Sequence, residues 1–242
     1  MAIQFVTTSQ VTALGGIKCA VYGDAGMGKT ALAATAPKPL ILAVEAGLLS
    51  LRKENIERIW GVGTPGITYD IPVMIINTAD DLNAAYDWCA NTANHHYFDT
   101  AYLDSVSEIA EVVLARAKAG AKDPRQAYGE VIDKMGTLIR GFVKIPGKNV
   151  VMTAKMEPYK DELSGVTRQI PMMPGAKLGP KFAYEFDEVF RMGASKDDKG
   201  KPYRFLQTQP DLQYVAKDRS GALAAVEYPH LTYLFNKILG VT

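Results

Sequence analysis

Short apolar runs rich in β-forming residues alternate along the chain with stretches whose apolar positions recur at helical spacing. This alternation predicts parallel strands joined by crossover helices, an α/β fold with a mostly parallel central sheet and helices on both faces. The apolar runs fall at residues 17–22, 39–44, 100–103, 149–153 and 188–192. Helices are expected at 29–36, where Pro37 stops the pattern, at 79–90 with Asp80 or Asp81 near the cap, and at 106–119. A fourth, at 129–143, carries Val131, Ile132, Met135, Leu138, Ile139 and Phe142 at helical spacing. Residues 119–127 form a short polar connection, and residues 156–181 a long one rich in Pro, Gly, Met and Lys. Connections of that length are uncommon in compact domains unless they act on something or order on a ligand. Residues 2–8 read as a short strand ahead of the sheet.

Composition adds boundaries to this picture. The chain of 242 residues is 48% hydrophobic and 22% charged, as expected for one soluble globular domain. Residues 17–242 are expected to form that core, with residues 1–16 as an N-terminal arm that pairs either with a neighbouring subunit or with its own domain. The net charge of +1 makes no global case for nucleic acid or membrane, so a polyanion partner must be sought in local clusters. Cys19 and Cys89 sit in a predicted strand and helix, which fits reduced, buried thiols. They make no zinc-site spacing with His95, His96 and His230. With neither a signal-peptide layout nor an apolar run near the roughly 20 residues that span a bilayer, a cytoplasmic protein is expected.

The strongest chemistry is in Gly23-Asp24-Ala25-Gly26-Met27-Gly28-Lys29-Thr30, followed by Ala31. It matches G-x-x-x-x-G-K-[ST] between an apolar strand and a predicted helix, the context that a phosphate-binding loop requires. The glycines let successive backbone N–H groups curl around one anionic centre, Lys29 adds a point charge for the outer phosphates, and the Thr30 hydroxyl is placed for Mg²⁺. A carboxylate is also needed at the end of a neighbouring strand, and Asp104 ends the run Ala101-Tyr102-Leu103. For activating water, Glu45 at the end of Leu40-Ile41-Leu42-Ala43-Val44 is the candidate, with Glu108 as its substitute.

In order and wording these motifs resemble the RecA-like recombinases. Val44-Glu45-Ala46-Gly47-Leu48 is similar to their glutamate-bearing strand end, Leu103-Asp104-Ser105-Val106 to their metal-binding strand, and residues 179–187 to the elements that close their second DNA-binding loop. Val215-Ala216-Lys217-Asp218-Arg219 is similar to the paired cations that such subunits insert into a neighbour's ATP site. The likeness runs from about residue 17 to 223 and is strongest to short phage-encoded members, the Sak-four-like annealing or phage nucleotide-binding proteins. It implies a RecA-like P-loop core with a C-terminal antiparallel extension, ATP and Mg²⁺ as cofactors, single-stranded DNA as partner, and a homo-oligomer with ATP at subunit interfaces. It also implies catalytic roles for Glu45, Lys29, Lys217 and Arg219. Where the family has a polar amide sensor, this chain offers Thr153 or Lys155.

DNA contact would then fall to Lys122 and Arg125 in the first polar connection, and to Lys155, Lys160, Arg168, Lys177 and Lys181 in the second. Met172 and Met173 either wedge between bases or fill gaps beneath the loop. The alternative functions are a nucleotide-dependent scaffold or regulatory ATPase that binds protein, and an NTP-driven motor.

Overall fold

The computed structural model describes residues 7–8, 15–44, 48–120, 124–162, 164–174 and 178–241. In chain order its elements are β1 (Lys18–Tyr22), α1 (Lys29–Leu32) with a 3₁₀ turn through Thr35, β2 (Pro39–Ala43), α2 (Lys53–Trp60), β3 (Val73–Ile75), α3 (Ala79–Ala90), β4 (Thr100–Asp104), α4 (Val106–Gly120) and α5 (Pro124–Val143). There follow β5 (Asn149–Ala154), β6 (Met156–Lys160), β7 (Thr167–Pro171), α6 (Leu178–Phe182), β8 (Glu188–Lys196), β9 (Pro202–Gln207), β10 (Lys217–Asp218), β11 (Val226–Glu227) and α7 (Leu231–Leu239).

The main sheet runs β11-β9-β8-β1-β5-β4-β2-β3. From β8 to β3 every pairing is parallel, while β9, β10 and β11 are antiparallel. Both faces of the central strands are apolar because helices cover both, and the period of two divides each strand between two core layers. Ala20, Tyr22, Leu40, Leu42, Ala101, Leu103, Val150 and Met152 pack under α3, α4 and α5. Cys19, Val21, Ile41, Tyr102 and Val151 pack under α1, α2 and α7. The expected fold class is thus the observed one, antiparallel extension included.

Two expectations need correction. Residues 156–181 are not a structureless loop. They hold the two-stranded β6–β7 hairpin and the short helix α6. Pro158 and Pro171 disguised the strands, but a prolyl nitrogen costs little in a two-stranded hairpin where it is not needed as a ladder donor. The connection expected at residues 119–127 is also shorter, because α4 runs to Gly120 and α5 begins at Pro124. With Asp80 and Asp81 near it as expected, the cap of α3 is Thr78. Its hydroxyl accepts from the Asp81 N–H while the Asp81 carboxylate accepts from the Thr78 N–H, a capping box. The arm expected at residues 2–8 lies outside the described residues except for Thr7 and Thr8.

Candidate nucleotide site

The loop leaves β1 beside β8, so closely that a Cβ on Gly23 would stand 2.5 Å from the Met192 carbonyl oxygen. Gly26 and Gly28 have φ of 78° and 100°, a region that side chains disfavour, and together they make the curl that turns the chain into α1. The helix begins with the Leu32 N–H donating to Gly28 O at 2.9 Å. The buried Tyr102 hydroxyl fixes the same turn to β4 by donating to Lys29 O at 2.5 Å. The Lys29 ammonium folds over the loop and donates to Gly23 O at 2.7 Å and Asp24 O at 2.8 Å.

Because β5 lies between β1 and β4, three strand ends converge on Asp104. Its Oδ2 accepts from Thr30 Oγ1 at 2.5 Å, and its Oδ1 from Thr153 Oγ1 at 2.5 Å. Thr153 is fully buried on β5, and its Oγ1 also lies 3.3 Å from Leu103 O. Of the two sensor candidates, Thr153 therefore touches the Asp104 carboxylate, whereas the Lys155 ammonium pairs with Glu108. Glu45 lies outside the described residues. The strand leading to it is parallel to β4, with Ala43 opposite Asp104.

A hydroxyl and a carboxylate side by side are hard oxygen donors that fit Mg²⁺, which is commonly held by one or two carboxylates plus substrate phosphates. Among the described residues no set of three or more His, Cys, Asp or Glu side chains forms a protein-only metal cage. Thr30 and Asp104 would hold the ion, and when bound it would neutralise charge on the phosphate oxygens.

The remaining candidates lie further out. Lys217 on β10 stands opposite Val189, three positions before Met192 and thus roughly 10 Å along the strand from the loop. Its ammonium donates to Ala183 O at 2.8 Å, and burial, then the adjacent Arg219 charge, lower its pKa. Arg219 is exposed and pairs with Asp187 at 2.9 Å. Among the described residues their polar partners are Ala183 and Asp187, outside the P-loop. Arg125 is exposed in the first turn of α5, and Lys155, Lys160, Arg168 and Lys181 are exposed on or beside the hairpin and α6. Met172 is half-buried, but Met173, 3% exposed, belongs to the core beneath the hairpin, and its thioether fills a gap rather than facing outward. Lys122 and Lys177 lie outside the described residues.

One cation escaped the sequence reading altogether. Arg204 on β9 places its Nε 3.3 Å from where a Cβ on Gly28 would be. No motif marks it, and β9 was not foreseen as a strand, so only the sheet register could have found it.

Among the described residues, no helix is long and apolar enough to cross a membrane. No curated protein matches the chain. The sequence profile of a family described as "AAA domain" matches residues 15–220, from just before β1 to just past Arg219. Together with the geometry of Gly23–Thr30 and Asp104, that match settles the family: this chain belongs to the AAA-domain family and is a P-loop nucleotide-binding ATPase.

Proposed function

We propose that this ATPase binds single-stranded DNA and anneals or pairs strands, working as a RecA-like homo-oligomer with ATP at its subunit interfaces. The observation that supports this most is a continuous connection from the nucleotide site to a basic hairpin. Thr153, bonded to Asp104, is two residues from Lys155, and β6 starts at the next residue. The Ser107 hydroxyl at the start of α4 accepts from the Lys155 N–H at 3.0 Å and donates to Met172 O at 2.8 Å, tying both hairpin ends to the strand that carries Asp104. Beyond these anchors the hairpin presents Lys155, Lys160 and Arg168 to solvent, with Tyr159 opposite Arg168. Exposed cations beside an aromatic ring suit a phosphate backbone and its bases.

On its other side the hairpin reaches the segment that carries the trans-acting candidates. Gln169 accepts from the Val215 N–H at 3.2 Å and donates to Gln213 O at 2.7 Å, and Lys217 follows two residues later. Movement of the hairpin on DNA would be felt at Asp104 on one side and at Lys217 and Arg219 on the other. In an oligomer those two cations would face the γ-phosphate bound by a neighbour.

The test is binding of a fluorescent oligodeoxythymidine by wild type and by a Lys160→Ala/Arg168→Ala variant, over a range of salt. Wild type should bind with an affinity that falls steeply as salt rises, and the variant should bind more weakly with a shallower salt dependence. A wild-type chain that binds no DNA at low salt contradicts the proposal.

A further inference from the structure

Arg204 sits opposite Ala194 in the β8–β9 pairing and shares its face of the sheet with Leu206, two residues on. Leu206 is buried with Ala31 and Leu32, so this is the face on which the P-loop helix packs. The Arg204 Nε and Cδ stand 3.3 and 3.5 Å from the Cβ position of Gly28, with the Met192 methyl at 3.5 Å on the same spot. It is the φ of 100° that requires glycine at this position, and the bare backbone lets Arg204 lie directly against the loop.

Arg204 is also exposed and, among the described residues, has neither a hydrogen bond nor an ion pair. The contrast with Arg191 on the adjacent strand is informative. Arg191 takes the other face, where the Tyr214 ring lies 4.1 Å and the Phe205 ring 5.2 Å from its guanidinium carbon. One arginine is committed to packing. The other rests an unengaged guanidinium against the residue that precedes Lys29.

We propose that Arg204 is a phosphate clamp acting within its own chain: its guanidinium binds the phosphate chain of the nucleotide held by the P-loop, in addition to Lys29. The assignment rests on the nucleotide-binding reading of the P-loop. A planar fork that donates two parallel hydrogen bonds matches two phosphate oxygens, whereas the Lys29 ammonium is a point charge. It differs in kind from the proposed action of Lys217 and Arg219, which needs a second subunit. Arg204 would contribute to binding in a monomer.

Calorimetric titration with Mg-ATP and with magnesium tripolyphosphate, which has the phosphates without base or sugar, tests the assignment in wild type, R204A, R204K and K29A. R204A should weaken both ligands by a similar factor of about tenfold or more. R204K, with charge but no fork, should recover part of that loss. If R204A weakens ATP alone, the guanidinium acts on the base or sugar and the phosphate assignment is overturned. Wild-type affinity of R204A for both ligands, with K29A defective, overturns it while leaving the P-loop reading intact. A wild type that binds neither ligand overturns the P-loop reading and the Arg204 assignment with it.

Discussion

Thr30 and Asp104 are 74 residues apart in sequence and meet in a single hydrogen bond of 2.5 Å, with the second Asp104 oxygen taken by Thr153. One carboxylate thus joins the P-loop helix, the strand it ends and the strand that leads to the basic hairpin. In Asp104→Asn an amide N–H₂ would face one hydroxyl donor, and the negative charge that suits Mg²⁺ would be gone. We expect Mg²⁺-dependent ATP hydrolysis to fall by about a hundredfold or more while circular dichroism stays that of a folded chain. Turnover within a few-fold of wild type would contradict the metal assignment.

Thr153→Val keeps shape and burial but removes the donor to Asp104. A hydrogen bond to a charged group contributes about 1.5–3 kcal/mol, so a lower denaturation midpoint is expected. Turnover should drop as well, with Mg-ATP affinity nearly kept, because Thr153 touches the carboxylate rather than the phosphate loop. Equal losses in affinity and turnover would reduce Thr153 to a structural residue.

Two glycines should respond to alanine with opposite sign. At Gly23 the new methyl would stand 2.5 Å from a β8 carbonyl that cannot move without disturbing the sheet, at a cost of about 1–3 kcal/mol. At Gly129, inside α5 with nothing within 4 Å of the Cβ position, alanine should stabilise by about 0.5–1 kcal/mol. Urea midpoints of the two variants check both signs.

Glu188 is 1% exposed, and its Oε2 has no hydrogen-bond partner among the described residues. Burial first, then the Asp218 charge, push its carboxyl up from 4.5 to about 8. Between those values the folded chain keeps a proton that the unfolded chain has lost, so stability falls as pH rises through that window. Burial acts to raise Asp218 too, but hydrogen bonds from Ser220, Leu223 and Gly221 outweigh it and hold that carboxyl below 3.8, outside the window. The stability of wild type relative to Glu188→Gln should therefore decline from about pH 4.5 to 8. Parallel stability curves for the two would contradict the assigned shift.

Arg219→Ala removes an exposed ion pair with Asp187, 60% and 41% accessible, and such pairs contribute about 1 kcal/mol or less. The fold should therefore survive. If Arg219 acts on a neighbour's nucleotide, turnover should fall at protein concentrations that favour assembly, while binding of one ATP per chain is retained. Unchanged turnover at every concentration would remove it from the site.

The sequence carried the nucleotide site well because its signals are local. Gly23 to Thr30 is one uninterrupted motif, Asp104 ends an apolar run, and the strands with both faces buried read as continuous apolar segments. What escaped depended on tertiary neighbours. The hairpin strands 156–160 and 167–171 bury only Ile170 and Pro171 and are interrupted by prolines, so no apolar alternation marks them. In β9, Pro202, Tyr203 and Arg204 are exposed, and the value of Arg204 arises only from its register on β8 and the missing Cβ of Gly28. Thr153 stayed tied with Lys155 until the strand order put β5 between β1 and β4. Helix α7 carries Leu231, Leu234 and Phe235 at helical spacing, but no phosphate-binding or catalytic motif lies on it.

The most direct measurement for the account as a whole is the steady-state rate of ATP hydrolysis with and without single-stranded DNA, in wild type and in Lys160→Ala/Arg168→Ala. The account predicts that DNA raises wild-type turnover, that the hairpin variant keeps its basal rate but loses the stimulation, and that Lys29→Ala abolishes both. Wild-type turnover that is unchanged by DNA, together with no DNA binding in any nucleotide state, would contradict it.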